Sequence, residues 1–88
     1  MAWTVKLSDD AKRDFSKLDK PIQKRIVTFL QERIQSADNP RTSGKALQGN
    51  LSGLWRYRVG DYRLLCQIQD DELVVLVIEI GHRREVYR

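Results

Sequence analysis

The stretch LWRYRVGDYRLL, residues 54–65, carries the clearest strand signal of this 88-residue chain. Apolar or aromatic residues alternate with other residues, mostly arginines, on both sides of Gly60-Asp61, and a period of two is typical of half-buried strands. Glycine at the first central position favours a two-residue type II′ turn. The pattern therefore predicts a β-hairpin with its turn at Gly60-Asp61. Its register pairs Val59 with Tyr62, Arg58 with Arg63, and Tyr57 with Leu64.

This register places three arginines, Arg56, Arg58 and Arg63, on one face of the hairpin and the aromatic side chains on the other. Like charges directly opposite each other destabilise a sheet. A face that only had to be solvated could use uncharged polar side chains instead. The cluster therefore suggests that this face receives an anion. The alternative is that the arginine stems cover apolar surface while the charged ends pair with carboxylates elsewhere.

Length and composition indicate one domain, residues 1–88, with a modest core. The single cysteine, Cys66, lies on a predicted strand among apolar residues, which favours a buried free thiol in a reducing cytosol. No stretch approaches the ~20 apolar residues of a membrane span, and the N-terminus lacks the features of a signal peptide. We therefore expect a cytoplasmic protein. The net charge of +4 mildly favours nucleic acid or an acidic protein as partner.

The rest of the chain predicts a helical layer and further strands. A short strand in residues 3–7 precedes two helices, the first capped by Ser8 and the second beginning near Asp19. The loop of residues 41–53 is either functional or held to the surface by a few apolar residues. Residues 73–80 are nearly all apolar, which predicts a strand central in the sheet. The order predicts an α+β fold with an N-terminal strand and a helical hairpin on one face of a small antiparallel β-sheet.

Common catalytic signatures are missing from the sequence. The lone histidine, His82, is expected in a turn, and no cluster has the spacing of metal ligands, so we expect neither a metal nor a cofactor. No serine is marked as a nucleophile, and no glycine loop for phosphate precedes a helix. The arginine cluster remains, to which the C-terminal tail could add Arg83 and Tyr87. Guanidinium groups could stabilise the phosphorane formed when a 2′-hydroxyl attacks an RNA phosphodiester, and Tyr87 could stack on a base or move a proton.

Three segments resemble the RelE branch of the RelE/ParE toxin superfamily of type II toxin–antitoxin systems. They are KALQG at 45–49, WRYRVGDYR at 55–63 and GHRREVY at 81–87. The resemblance covers essentially the whole chain. It implies a ribosome-dependent mRNA endonuclease that cuts message in the A site and leaves a 2′,3′-cyclic phosphate. It also implies a cognate antitoxin that holds the toxin inactive, in a complex that could bind operator DNA through the antitoxin.

Carried over by position, the resemblance gives a catalytic set of five residues: Arg56, Arg58, Arg63, Arg83 and Tyr87. Arginine keeps the positive charge that lysines supply at the first two positions in a relative, but it is a poor proton acceptor. The general acid and base therefore stay open. An alternative is a ParE-like poison of DNA gyrase without nuclease activity, and a third is an inactive or regulatory relative. The WRYR motif together with the tail tyrosine favours the nuclease.

Overall fold

The computed structural model describes residues 3–82. The structure has two layers, a five-stranded sheet in the order β1-β5-β4-β3-β2 and a pair of helices packed on one of its faces. The strands are β1 (Thr4–Leu7), β2 (Lys45–Ala46), β3 (Trp55–Val59), β4 (Tyr62–Gln69) and β5 (Val74–His82). The helices are α1 (Asp9–Ser16) and α2 (Lys20–Phe29), and α2 continues as a π-helical segment, Leu30–Gln35. The predicted α+β fold with a helical hairpin on one sheet face is confirmed.

The start of α1 is built as its sequence predicts. The Ser8 hydroxyl accepts a hydrogen bond from the backbone N–H of Ala11 (3.0 Å) and donates one to the carbonyl of Ile78 (2.7 Å). Asp14, one turn further on, accepts the backbone N–H of Ile80 at 3.1 Å. These bonds fasten α1 to the part of β5 that extends beyond β1, so the helix supplies partners where the sheet has none.

The central hairpin has the predicted register. Val59 pairs with Tyr62, Arg58 with Arg63, and Tyr57 with Leu64. Gly60 has φ +60°, whereas Leu73 is the one non-glycine residue of 3–82 with a positive φ, so Asp61 lies on the negative side. This combination is that of a type II′ turn. The arginines and the aromatic residues therefore lie on opposite faces of the sheet.

The core lies between the sheet and the helices. Tyr57 is completely buried, its ring meets Phe29 edge-on at 5.6 Å, and its hydroxyl donates to the carbonyl of Pro40 at 2.6 Å. The apolar stripe of the second helix faces the same core through Ile26 and Ile34, neither of which is exposed. Other fully buried core side chains are Ala11, Leu64, Cys66, Val75 and Val77.

Three features of the sheet go beyond the sequence prediction. The strand β1 pairs with β5 in parallel, so the sheet is mostly rather than wholly antiparallel. The apolar strand β5 is an interior strand, but β4 occupies the middle of the sheet. Opposite β4, Leu65 pairs with Glu79 and Cys66 with Val77, which makes Ile78 an extra, bulged residue.

The long loop between the helices and the hairpin contains a strand that the sequence pattern did not reveal. Its two residues, β2, pair with the outer edge of β3. Two side chains hold the loop in place: Trp55 donates its indole N–H to the carbonyl of Ser43 at 2.8 Å, and Arg41 forms two hydrogen bonds to Asp70 at 2.8 and 2.9 Å. The loop is thus pinned to the domain. None of the described helices is long and apolar enough to cross a membrane.

Candidate functional site

The hairpin brings three predicted site residues together on the sheet face that points away from the helices. We call Arg56, Arg58 and Arg63 the arginine face. Arg58 and Arg63 are directly opposite each other across β3 and β4, and Arg56 is two residues from Arg58 on the same side of its strand. Arg58 is exposed, and the other two are half-buried. The remaining predicted residues, Arg83 and Tyr87, lie outside the described residues, so their roles stay predictions.

Lys45 adds a further positive charge to the arginine face. It is directly opposite Arg56 in the pairing of β2 with β3, so both side chains lie on the same side of the sheet. Its place in a functional surface was missed from periodicity, because a strand of two residues shows no alternation. The only sequence signal was its position in the 45–49 segment, just ahead of the hairpin.

Three charges on this side of the sheet, those of Lys45, Arg56 and Arg58, have no compensating carboxylate among residues 3–82. No carboxylate of residues 3–82 lies within 4.0 Å of Lys45, Arg56 or Arg58. The Nε of Arg56 is buried and has no hydrogen-bond partner in this part of the chain. A buried donor without a partner costs stability. The arrangement therefore favours the anion-binding interpretation over the one in which the charged ends pair elsewhere.

Arg41 shows what a structural arginine looks like in the same protein. Its guanidinium holds Asp70 with two parallel hydrogen bonds, which lower the pKa of that carboxyl and raise the pKa of Arg41. Such paired geometry fixes both side chains. Arg56 and Arg58 have no such carboxylate, although the exposed acidic residues of the chain could have supplied one. The contrast indicates that these two arginines do not serve to hold the fold together.

The arginine stems do cover some apolar surface. Arg56 is directly opposite Leu65, which is only 5% exposed although it lies on the arginine face. The aliphatic part of an arginine can shield such a neighbour while its charged end stays in water. The packing interpretation thus holds for the stem of Arg56, but it gives no partner to the guanidinium.

Two titratable groups near the hairpin, His82 and Glu79, belong to β5. His82 ends β5 instead of lying in a turn as predicted, and its ring meets Tyr62 edge-on at 5.7 Å on the helix side of the sheet. Glu79 makes no ion pair with any residue of 3–82, and its pKa is raised by burial and by the carboxylates of Asp14 and Asp10. His82 thus lies on the opposite face from the arginines. Glu79 is directly opposite Leu65, so it lies on the same face of the sheet as the arginines but forms no ion pair with them. The acid and base of any reaction here stay open.

Residues 3–82 form neither a reactive cysteine nor a metal centre. Cys66 is fully buried and free, as predicted, and burial raises the pKa of its thiol, which keeps it a neutral core residue rather than a nucleophile. Over residues 3–82, no three side chains of His, Cys, Asp or Glu converge in a way that could hold a metal ion. The chemical groups that the described residues bring together are therefore the cations on the sheet face away from the helices.

Comparison with known proteins identifies the relatives of this chain. A family model described as the ParE toxin of the type II toxin–antitoxin system parDE matches residues 5–87. Toxin RelG of Mycobacterium tuberculosis (strain ATCC 25618 / H37Rv) is 34% identical over 88 residues, which cover 100% of this chain and 99% of RelG.

Solved structures agree with the sequence relatives. The toxin–antitoxin complex RelBE2 from Mycobacterium tuberculosis contains a chain that is 32% identical, with a TM-score of 0.85 over 97% of this chain and 95% of that one. The isolated Escherichia coli RelE toxin has the same fold, with a TM-score of 0.73 at 24% identity over 98% of this chain and 92% of that one. The matches extend over nearly the whole length of this chain. This chain belongs to the RelE/ParE superfamily of type II toxin–antitoxin systems and is a RelE-like toxin.

Proposed function

We propose that this toxin is a ribosome-dependent mRNA endonuclease whose arginine face binds the phosphodiester that is cut. The observation that carries the proposal is the direct opposition of Arg58 and Arg63, with Arg56 and Lys45 beside them. Folding alone disfavours such a cluster, since neighbouring like charges repel across strands. A phosphate at its centre converts the repulsion into attraction and matches the bidentate geometry of guanidinium groups.

In the proposed reaction, the 2′-hydroxyl oxygen of the ribose attacks the neighbouring phosphorus. A bond forms between that oxygen and phosphorus, and the bond from phosphorus to the 5′-oxygen of the next nucleotide breaks. The 2′-hydroxyl loses its proton and the departing 5′-oxygen gains one, which leaves a 2′,3′-cyclic phosphate and a 5′-hydroxyl. The arginines stabilise the extra negative charge of the phosphorane between these steps.

The proton transfers need groups other than these guanidiniums. Arginine stays protonated throughout the physiological range, so Arg58 cannot accept the proton of the 2′-hydroxyl. By resemblance, Arg83 adds charge to the same phosphate, and Tyr87 stacks on a base or moves a proton. A site that relies on charge stabilisation and on an ordered substrate is expected to work best when the ribosome holds the message in place.

The partners follow from the same proposal. The structurally similar RelBE2 chain is found in a complex with an antitoxin, and we expect a cognate antitoxin for this toxin as well. Binding of operator DNA would come through that antitoxin. A protein that acts on translating ribosomes works in the cytoplasm. The buried free thiol of Cys66 is compatible with such a reducing compartment.

A second candidate function is that of a gyrase poison without nuclease activity. The observation that favours it is that the matching family model is that of the ParE toxin. The fold does not separate the two activities. The curated relative named RelG and the arginine face itself favour the nuclease.

Primer extension after induction separates the two functions. The experiment compares a defined message with the same message lacking its start codon, in cells that express the wild-type toxin or the variant Arg63→Ala. The nuclease predicts cuts in codon register that occur only in the translated message and disappear in the variant. Growth arrest with intact message and accumulating gyrase–DNA cleavage complexes would establish the ParE-like activity instead. Retained toxicity of a folded Arg63→Ala protein would contradict the assignment of the site.

A further inference from the structure

A groove of about 680 Å³ runs between α2, its π-helical extension and the tip of the hairpin. Its floor is apolar, with Phe29 and Val59, and its rim carries four cations: Lys24, Arg25, Arg33 and Arg58. Among residues 3–82, Glu32 is the one acidic residue in its lining. None of the four cations has a carboxylate within 4.0 Å in the part of the chain that the structure describes. The groove is therefore a concentrated positive surface.

The chain positions one of these cations closely against the hairpin. The guanidinium of Arg25 lies over the turn, so near to Gly60 that a Cβ atom there would be 3.0 Å from its Nη1. Glycine at this position thus serves two purposes, since it permits the positive φ of the turn and leaves room for Arg25. The hairpin tip and α2 together form one positively charged surface, although their residues are far apart in sequence.

The groove is continuous with the arginine face. Arg58 belongs to both, and a smaller recess of about 260 Å³ between them is lined by Phe29, Lys45, Arg56 and Arg58. The two surfaces meet at the outer edge of β3, where β2 pairs only with Trp55 and Arg56. A strand of nucleic acid that crosses the arginine face can pass over this edge into the groove and find positive charge along its whole path.

We propose that this groove binds the message strand downstream of the cleaved phosphodiester, through contacts from Arg25 and Arg33 to its phosphates. The inference rests on the proposed nuclease function and extends it to a second binding surface. Proteins that hold single strands combine a positive groove along the backbone with aromatic side chains for the bases, and Phe29 lines both recesses. Four cations against a single carboxylate, together with continuity through Arg58, favour RNA over an acidic protein segment.

The test uses ribosome complexes whose message carries 2′-O-methyl riboses in the A-site codon, so that it is bound but not cut. One message ends at this codon and the other extends twelve nucleotides further. We expect the wild-type toxin to bind the extended message more tightly. The double variant Arg25→Gln/Arg33→Gln should bind both messages with the affinity of the wild type for the short one. The matched control, Lys12→Gln/Lys17→Gln, removes two exposed charges from the region of α1 and should retain the difference.

The salt dependence gives a second readout. Each phosphate contact with a single strand contributes about 0.7 to the slope of log affinity against log salt, so loss of two contacts should make the slope for the extended message shallower by about 1.4. An equal loss of affinity for both messages in the double variant would overturn the proposal, because Arg25 and Arg33 would then contact ribosomal RNA and not the message extension. Unchanged RNA binding overturns it too, and weakened antitoxin binding would then assign the groove to an acidic segment of that protein. Failure of the wild type to cut an unmodified message in these complexes would refute the nuclease, while the binding comparison still tests the groove.

Discussion

Replacing Arg56 by methionine should make the free toxin more stable and less active. Methionine keeps an unbranched apolar stem beside Leu65 but removes the charge and the nitrogen donors. In the wild type this charge is directly opposite Lys45, and its Nε is buried without a hydrogen-bond partner among residues 3–82. If the arginine is present for a ligand, the fold gains by losing it.

The expected size of the effect follows from these two contacts. Relief of a cross-strand like-charge pair contributes about 0.2 to 1 kcal/mol, and removal of a buried, unsatisfied donor contributes about 1 to 3 kcal/mol at full burial. Because Arg56 is only half-buried, we expect a net gain of about 1 kcal/mol. For a domain of this size, that raises the melting temperature by about 4 to 8 °C. Part of the gain should fade at 1 M salt, where charges are screened beyond about 3 Å.

The assay is thermal and urea unfolding of the purified toxin at low and high salt, combined with message cleavage on ribosomes. Loss of one group that stabilises transition-state charge typically lowers the rate by about 10² to 10³, and we expect a loss of that order. Arg41→Met is the matched control, because it breaks the ion pair with Asp70 and should lower stability slightly while leaving cleavage intact. An Arg56→Met protein that is both less stable and inactive would refute the reasoning, since Arg56 would then be a structural residue.

Three further predictions concern the core and the pH dependence. Tyr57→Phe removes the 2.6 Å bond to the Pro40 carbonyl, and urea unfolding should show a loss of about 1 to 3 kcal/mol because a buried acceptor is left unpaired; an unchanged midpoint would contradict this. Cys66 should react with iodoacetamide only after unfolding, since it is buried and its pKa is raised; rapid labelling of the native protein would show that the thiol is accessible. The folded state raises the pKa of Glu79 above its ordinary value of 4.5, so its stabilisation is complete below that unfolded pKa and is lost as pH rises through the folded pKa. Glu79→Gln should therefore reduce the fall in unfolding free energy between pH 4.5 and neutral pH. A variant with the same pH profile as the wild type would contradict this prediction.

Much of the fold could be predicted because its signals are local. The period of two around Gly60-Asp61 fixed the hairpin register, and with it the shared face of the three arginines, since a slip by one residue would turn the aromatic side chains to solvent. The start of α1 was equally readable, because Ser8 is followed by acidic residues and then by an apolar face. Such patterns depend on neighbours in sequence, and tertiary contacts then reinforce them.

Features that depend on distant contacts were not predictable in this way. The two residues of β2 are too few for a periodic signal and become a strand only because β3 offers a free edge. No motif or periodicity in the sequence singles out Lys24, Arg25 and Arg33. They form a groove only because the packing of α2 brings them against the hairpin tip, as the contact of Arg25 with Gly60 shows. The roles of Arg83 and Tyr87 remain predictions from resemblance.

The most direct test of the central claim is an analysis of the products formed by the purified toxin on ribosomes programmed with a defined message. The account predicts a 5′-hydroxyl on one fragment and a 2′,3′-cyclic phosphate on the other. It also predicts that no cut occurs when the ribose before the cleaved bond carries a 2′-O-methyl group or when Arg63 is replaced by alanine. Cleavage of the methylated message, or a 5′-phosphate product, would contradict attack by the 2′-hydroxyl on a phosphate held by the arginine face.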